Sequence, residues 1–481
     1  MLFLDKETRE RLWTRVTQAL EDYAEEVEKG RVTPQLEPGR IRDLLEPFDF
    51  SKPHDPLAAV DFIVEGLHEY QTHTPHPRYY GLFNPAPTTM GVAADSLVAG
   101  FNPQLAAWSH SPFAIEMERH LVASFAERFG YRPEQAEGTF ATGGAEANHT
   151  AVLTALTRAF PEYLRHGVKS LRAQPVLYIS SEGHDSLAKA ARMCGLGTEA
   201  VREIAVDSSL RMSTDLLRQQ IQEDLEEGFA PFLIVATAGT TGAGTIDPLP
   251  ELVEIAAGEG IWLHVDAAWG GAAVLVPELG AALEGIEQSD SITFDAHKWL
   301  SVPMGAGLYL TRHPQILERT FKVAADYMPK EAADLDVTDP YAVTMQWSRR
   351  FIGLKVFLSL AVAGWQGYEE AIRHQTAMGN ELRQELGSHG WRVVNETPLP
   401  VVCFVDRTRP NGDSPEFLDQ ISRTIVDAGE AWISTARLGA HGTALRACIT
   451  NFRTGSEDIA ALVSALNRAR SSLPSPTTSD S

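Results

Sequence analysis

Four stretches of the chain place reactive side chains where an apolar run stops. In SITFDAHKWLSVPMGAGLYL, Lys298 follows one apolar run and precedes a loop containing proline and glycine. A lone lysine there can be a solvated turn residue. A lysine held at the end of a buried strand can also form a Schiff base with a carbonyl group. In IWLHVDAAWGGA, Asp266 stands at the carboxyl end of another apolar run, 32 residues before Lys298. A buried carboxylate is costly unless it meets a cation or several donors. An aspartate and a lysine at two such strand ends are the pair that pyridoxal phosphate needs. The carboxylate keeps the pyridine nitrogen protonated, and the amine carries the aldehyde.

The other two stretches fit the same ligand. In FATGGAEANHTAVLTAL, Gly143 and Gly144 precede a helix starting near Ala145. Backbone N–H groups at a helix N-terminus hold phosphate, and glycines allow close approach; a double glycine is also a common turn. In SSEGHDSLAKAARMCGLG, His184 opens a helix, where it can cap the helix or stack on a planar ring. Thr240, in ATAGTTGAG, is a turn threonine or a hydroxyl for the phosphate.

These residues need a scaffold of alternating elements, and the chain supplies one. Between about 114 and 312, helical patterns at 114–129, 145–160, 186–195, 214–227 and 249–258 alternate with short apolar runs at 176–179, 232–237, 261–265, 291–294 and 307–310. Runs that are apolar throughout suit strands of a parallel sheet buried on both faces. The class is therefore α/β, with ligands expected beyond the carboxyl ends of the strands. Two helical pieces precede this region, and a proline-rich loop follows them at 73–89. A helical stretch from Trp347 to Trp365 leads to a smaller α/β region. We expect a helical segment at 1–80, a large cofactor-binding domain at 81–350, a small C-terminal domain at 351–472 and a disordered tail at 473–481.

Composition narrows the partners. The 481 residues carry 41 Lys plus Arg against 64 Asp plus Glu, a formal charge of -23, so nucleic acid and anionic membranes are poor partners. An anionic ligand must then be gripped locally. Cys194, Cys403 and Cys448 form no CxxC pair, which fits a reducing, cytoplasmic setting without structural zinc. The opening MLFLDKETRERLW turns charged after four residues, so we expect no secretory signal, and no apolar stretch suggests a membrane span.

The order GGAEAN, GHDS, ATAGTT, HVDAAWGG, DAHKWL resembles the group II pyridoxal-phosphate-dependent amino-acid decarboxylases, which include the aromatic-L-amino-acid and glutamate decarboxylases. The resemblance runs from HPRYYGLFNP at 76 to LRACITNFRT at 454. It implies the aspartate-aminotransferase-like fold type I. It also implies a homodimer with active sites at the subunit interface and the N-terminal segment packed on the partner. By resemblance, Lys298 is the Schiff-base lysine, Asp266 the partner of the pyridine nitrogen, His184 the stacking histidine and Ala268 the residue on the opposite ring face. Gly144, Ala145 and His297 fall on phosphate positions, with Gly143 before them and Thr240 in the cofactor loop. Some members carry serine at the place of Ala145, and some animal members asparagine at that of Asp295.

The resemblance also implies the reaction: an L-amino acid takes the place of Lys298 on the cofactor and loses its carboxylate. The family's proton donor is a tyrosine on a mobile loop, here matched by Tyr341 in KEAADLDVTDPYAVTMQW. Phe83, Asn84, Trp108, Ser109 and His110 match segments lining the substrate pocket, partly from the partner subunit. Phe83 and Trp108 would form a wall for an aromatic or other medium-sized side chain. Asn84 replaces the proline usual in aromatic-amino-acid decarboxylases. Arg446 matches a position where some members hold the substrate carboxylate. The same machinery could instead serve oxidative decarboxylation–deamination to an aldehyde, or aminotransfer.

Overall fold

The runs that are apolar throughout become strands because both their faces are covered. The computed structural model describes residues 2–323, 328–329, 331–332 and 334–473. Most of the tail expected to be disordered, 474–481, therefore lies outside the described residues. Seven strands, β1 (Glu137–Ala141), β2 (Pro175–Ser180), β3 (Val201–Ile204), β4 (Ala230–Thr237), β5 (Trp262–Asp266), β6 (Ser291–Asp295) and β7 (Gly307–Thr311), form one sheet in the order β1-β7-β6-β5-β4-β2-β3. Strands β6, β5, β4, β2 and β3 are parallel, and β7 is antiparallel to both its neighbours. Every residue of β2, β5, β6 and β7 is buried, as a sheet covered by helices on both faces requires.

A second sheet, wholly antiparallel, contains β8 (Trp391–Val393), β9 (Val401–Asp406), β10 (Ser434–Arg437) and β11 (Thr443–Cys448) in the order β10-β11-β9-β8. The helical stretch Gly353–Ser388, broken at Gly364 with φ +64°, runs between the two sheets in sequence. Sequence pattern started this helix at Trp347. It starts at Gly353 instead, because Arg349 gives its carbonyl to the Leu105 N–H and the Glu118 carboxylate accepts the Gly353 N–H at 2.9 Å. Near the N-terminus, Asp5 and Asp55 cap the helices Lys6–Glu26 and Pro56–Tyr70. The short helix Pro38–Leu45 between them had no clear sequence signal.

The proline-rich stretch is irregular, as expected, but anchored. The Tyr80 N–H donates to the Trp432 carbonyl, and the Tyr80 carbonyl accepts the Cys448 N–H, so the segment runs along the second sheet. Its course delivers Phe83, at φ +66°, to the face of Trp269 beyond β5, with ring centroids 4.5 Å apart.

The loop after Lys298 is clamped from two directions. The Thr88 N–H donates to the Ser301 carbonyl at 2.7 Å. Lys355, buried on the helix Gly353–Ser388, donates to the Met304 carbonyl at 2.8 Å and pairs with Asp95 at 3.2 Å. Gly91, in the first turn of the helix Thr89–Phe101, packs so tightly on this loop that a Cβ would lie 2.4 Å from Pro303 Cδ. Gly91→Ala must therefore push helix and loop apart. We expect a loss of about 1–3 kcal/mol in urea denaturation. An unchanged midpoint would contradict this clamp.

Candidate active site

The carboxyl ends of β1, β4, β5 and β6 converge on one cleft. Its lining comprises Gly144, Ala145 and Asn148 from the helix after β1, His184 after β2, and Thr237, Gly239 and Thr241 at the end of β4. Asp266, Ala268 and Trp269 join from β5, and Asp295 and Lys298 from β6. This is where an α/β sheet binds its ligands.

Asp266 is buried and receives two donors. The Asn148 amide donates to Oδ2 at 2.7 Å and the Ala268 N–H to Oδ1 at 3.1 Å. Lys298, partly exposed, lies 3.2 Å from the Asp295 carboxylate, which also accepts the Gly144 N–H at 3.0 Å. Asp295 Oδ1 is buried without a partner. Gly144 opens the helix Gly144–Ala159, where a Cβ would stand 2.9 Å from Asp295 Oδ2 and 3.3 Å from Ala268 Cβ. The site thus offers an amine, a buried carboxylate with a donor on each oxygen, and a glycine-opened helix start at Gly144 and Ala145 whose first N–H is held by Asp295. That donor set fits pyridoxal phosphate: Lys298 would carry the aldehyde, Asp266 would face the ring nitrogen, and Gly144 and Ala145 would hold the phosphate.

His297 sits beside this cradle. Its Nδ1 accepts the Ala306 N–H at 3.2 Å, so Nε2 carries the proton and lies 3.9 Å from Asp295 Oδ2. Burial lowers its pKa. Gly143 stands at the N-cap of the helix, where an added Cβ would lie 3.4 Å from His297 Cε1. His184 and Ala268 both line the cleft, and His184 Nδ1 accepts the Ser186 N–H.

The other residues singled out from sequence fall into two groups. Phe83 and Arg446 adjoin the cleft. The Phe83 ring lies 6.0 Å from Lys298 Nζ, and the Arg446 guanidinium lies 5.0 Å from the same ring. Arg446 is buried, donates to the Thr241 and Gly81 carbonyls, and keeps Nη2 without a partner. Thr240, in contrast, is turned away. Its hydroxyl bonds to Thr245 at 2.9 Å, because the 239–245 turn folds back on itself, and Thr237 and Thr241 line the cleft instead. Asn84, Trp108, Ser109, His110 and Tyr341 do not line the cleft of their own chain. The segments of Trp108 and Tyr341 are zipped together: the Trp108 N–H donates to Asp339, and the Tyr341 N–H to the Ala106 carbonyl. His110 bonds Gln104, Asn84 accepts from the Tyr79 hydroxyl, and the Tyr341 ring packs on Trp347.

The profile of the pyridoxal-dependent decarboxylase conserved domain matches residues 38–407. The chain belongs to this family. It is 33% identical to an aromatic-L-amino-acid decarboxylase of Bacillus atrophaeus, over 84% of this chain and 83% of that protein. It is 34% identical to an L-2,4-diaminobutyrate decarboxylase of Rhizobium meliloti (strain 1021), over 72% of this chain and 68% of that protein. Among solved structures it is similar to mouse CSAD in its apo form, with a TM-score of 0.90 and 25% identity over 98% of this chain and all of that one. The fold is thus the fold type I arrangement expected of a pyridoxal-phosphate-dependent decarboxylase.

Sequence reading passed over Asn148, the residue that touches Asp266 most closely. Its signal lay in GGAEAN: Asn148 stands four residues after Gly144, on the same face of the helix. Behind it, His264 is fully buried, and burial pushes its pKa down to about 4. A buried neutral histidine takes up a proton more readily once unfolded, near pH 6.5, than when folded. The stability it holds is present above pH 6.5 and is lost progressively as the pH falls to 4, about 3 kcal/mol at most. Buried His76, also pushed down to about 4, acts in the same direction. We expect the melting temperature to drop across this window and His264→Gln to flatten the drop. Parallel profiles for the two proteins would contradict this assignment.

Proposed function

We propose that the chain removes the α-carboxylate of an L-amino acid with an aromatic or other medium-sized, uncharged side chain, releasing the amine and carbon dioxide. The carrying observation is Lys298 and the doubly hydrogen-bonded Asp266 in one cleft, with the Phe83–Trp269 stack beside the lysine. When bound, pyridoxal phosphate supplies an electron sink for the pair left when a bond at Cα breaks. Asp266 holds a proton at the ring nitrogen. Asp295, 3.2 Å from Lys298 Nζ, pairs with the lysine and fixes the position of its amine in the cleft. His184 and Ala268, which line the cleft, would flank the ring. The unpartnered Nη2 of Arg446 is a donor for the substrate's carboxylate, and the apolar wall of Phe83 receives the side chain. With Arg446 taken by the α-carboxylate, the basic residues lining the described cleft are Lys298 and His184, which disfavours a side-chain carboxylate.

A desulfurase-like reaction is disfavoured by the cysteines. All three are buried, and burial pushes the thiols of Cys194 and Cys403 up to about 12 and that of Cys448 up to about 11, leaving no thiolate nucleophile at neutral pH. Free cysteines also fit a reducing cytoplasm.

We assign the return of a proton at Cα to Tyr341, acting in the cleft of a second subunit. The test is a product assay on cofactor-loaded protein with a panel of L-amino acids, following carbon dioxide, amine, aldehyde and peroxide together. The parent should give carbon dioxide and a matching amine; aldehyde with peroxide, or keto acid without carbon dioxide, would overturn decarboxylation. Tyr341→Phe should slow amine formation and raise aldehyde and peroxide. Amine at the parental rate from Tyr341→Phe would overturn this role.

We further propose a homodimer. Phe101 is 84% exposed, Phe113 77% and Met304 63%; Phe101 ends the helix Thr89–Phe101, and Met304 lies in the loop after Lys298. Large apolar side chains this exposed mark an interaction surface. Light scattering should give twice the chain mass, and Phe101→Asp combined with Phe113→Asp should shift it toward the monomer. A monomeric parent of full activity would contradict the shared site.

A further inference from the structure

We propose that His264 and Asn148 are positioning residues that keep a hydrogen-bond donor, and never an acceptor, turned toward Asp266. The inference rests on the reading that the cofactor's ring nitrogen faces Asp266. Its starting point is a buried chain of polar groups behind the cleft. Trp262 Nε1 lies 2.9 Å from Ser291 Oγ, which lies 2.8 Å from His264 Nδ1. His264 Nε2 lies 3.1 Å from Asn148 Oδ1 and 3.2 Å from Thr293 Oγ1. Asn148 Nδ2 reaches Ser186 Oγ at 2.9 Å and Asp266 Oδ2 at 2.7 Å.

The direction of every bond follows from its members. An ionised Asp266 only accepts, so Asn148 turns its NH₂ to it and its oxygen to His264 Nε2. His264 then carries its proton on Nε2, and Nδ1 accepts from the Ser291 hydroxyl, which also accepts the Trp262 N–H. That Nε2 proton in turn holds the asparagine amide, an otherwise symmetric-looking group, with its NH₂ end on the carboxylate. Were the amide reversed, its oxygen would oppose Asp266 and its NH₂ would face the imidazole N–H. Burial keeps His264 neutral, so the chain hands Asp266 a donor without adding a charge that would compete with the ring nitrogen. The ionisable groups facing His264 are Asp266, through Asn148, and Tyr309, whose ring stacks at 6.4 Å and whose hydroxyl is spent on Thr154.

The test is fluorescence titration of the cofactor-free protein with pyridoxal phosphate, beside melting curves of the same preparations. Asn148→Asp sets a second carboxylate against Asp266 and should weaken binding about 10–100-fold, the usual effect of losing an outer-shell partner. His264→Leu, which frees the amide, should do the same, and His264→Gln, which keeps a donor, should restore most of the loss. Nitrogen NMR of His264 should find the proton on Nε2. Lower melting temperatures with unchanged affinity in both Asn148→Asp and His264→Leu would show a merely structural role and overturn the proposal, as would a proton on Nδ1. Asp266→Asn in the same titration separates the two levels. Unchanged binding there overturns the reading of Asp266 and this proposal with it, whereas weakened binding there alone overturns only the relay.

Discussion

A carboxylate buried at the end of a central strand is the constraint on which the rest of this molecule turns. Asp266 forgoes water at the carboxyl end of a buried central strand, a cost normally met by neutralisation or by a cation. Here two protein donors reach it, one from a side chain and one from the backbone, and its remaining direction opens into the cleft. The parallel strands β4, β5 and β6 pair so that Thr237 and Thr293 lie beside Asp266, and β6 runs two residues further to Asp295. The helix Gly144–Ala159 must then lie close enough for both its first N–H and its Asn148 to reach the same cleft.

Around that anchor, the pieces differ in how firmly they are held. Lys298 sits on a loop gripped by Thr88 and Lys355, so its amine is presented from a fixed base while its side chain remains partly exposed. Phe83 arrives from a proline-rich segment tied to the second sheet, and the Arg446 guanidinium packs on its ring. The small sheet therefore contributes to the site without supplying a cofactor contact: it fixes the wall and a buried donor. Trp108 and Tyr341, tied to each other, form a unit apart from this cleft, which suits residues that serve a neighbouring subunit.

Much of this was legible in the sequence, for physical reasons that also explain the gaps. Strands covered on both faces must be apolar throughout, so β2, β4, β5 and β6 were visible, and a charged residue ending such a run stood out as Asp266 and Lys298 did. Gly143 and Gly144 were visible because a helix start needs room for an anion. Thr240 was misplaced because turn geometry, set by Gly239 and Gly244 at positive φ, decides which hydroxyl faces the cleft. The helix expected from Trp347 began later because distant partners, Leu105 and Glu118, claim the intervening backbone. Asn148 was overlooked because a polar residue in a helix looks solvated until its face is known.

The central claim is that Lys298 is the amine to which pyridoxal phosphate attaches, opposite Asp266. It is tested most directly by reducing the cofactor-loaded protein with borohydride and mapping the fixed pyridoxyl group by peptide mass spectrometry. The expected result is a single labelled peptide, modified at Lys298, with no label in Lys298→Ala. A label on another lysine, or none in the parent, would contradict it.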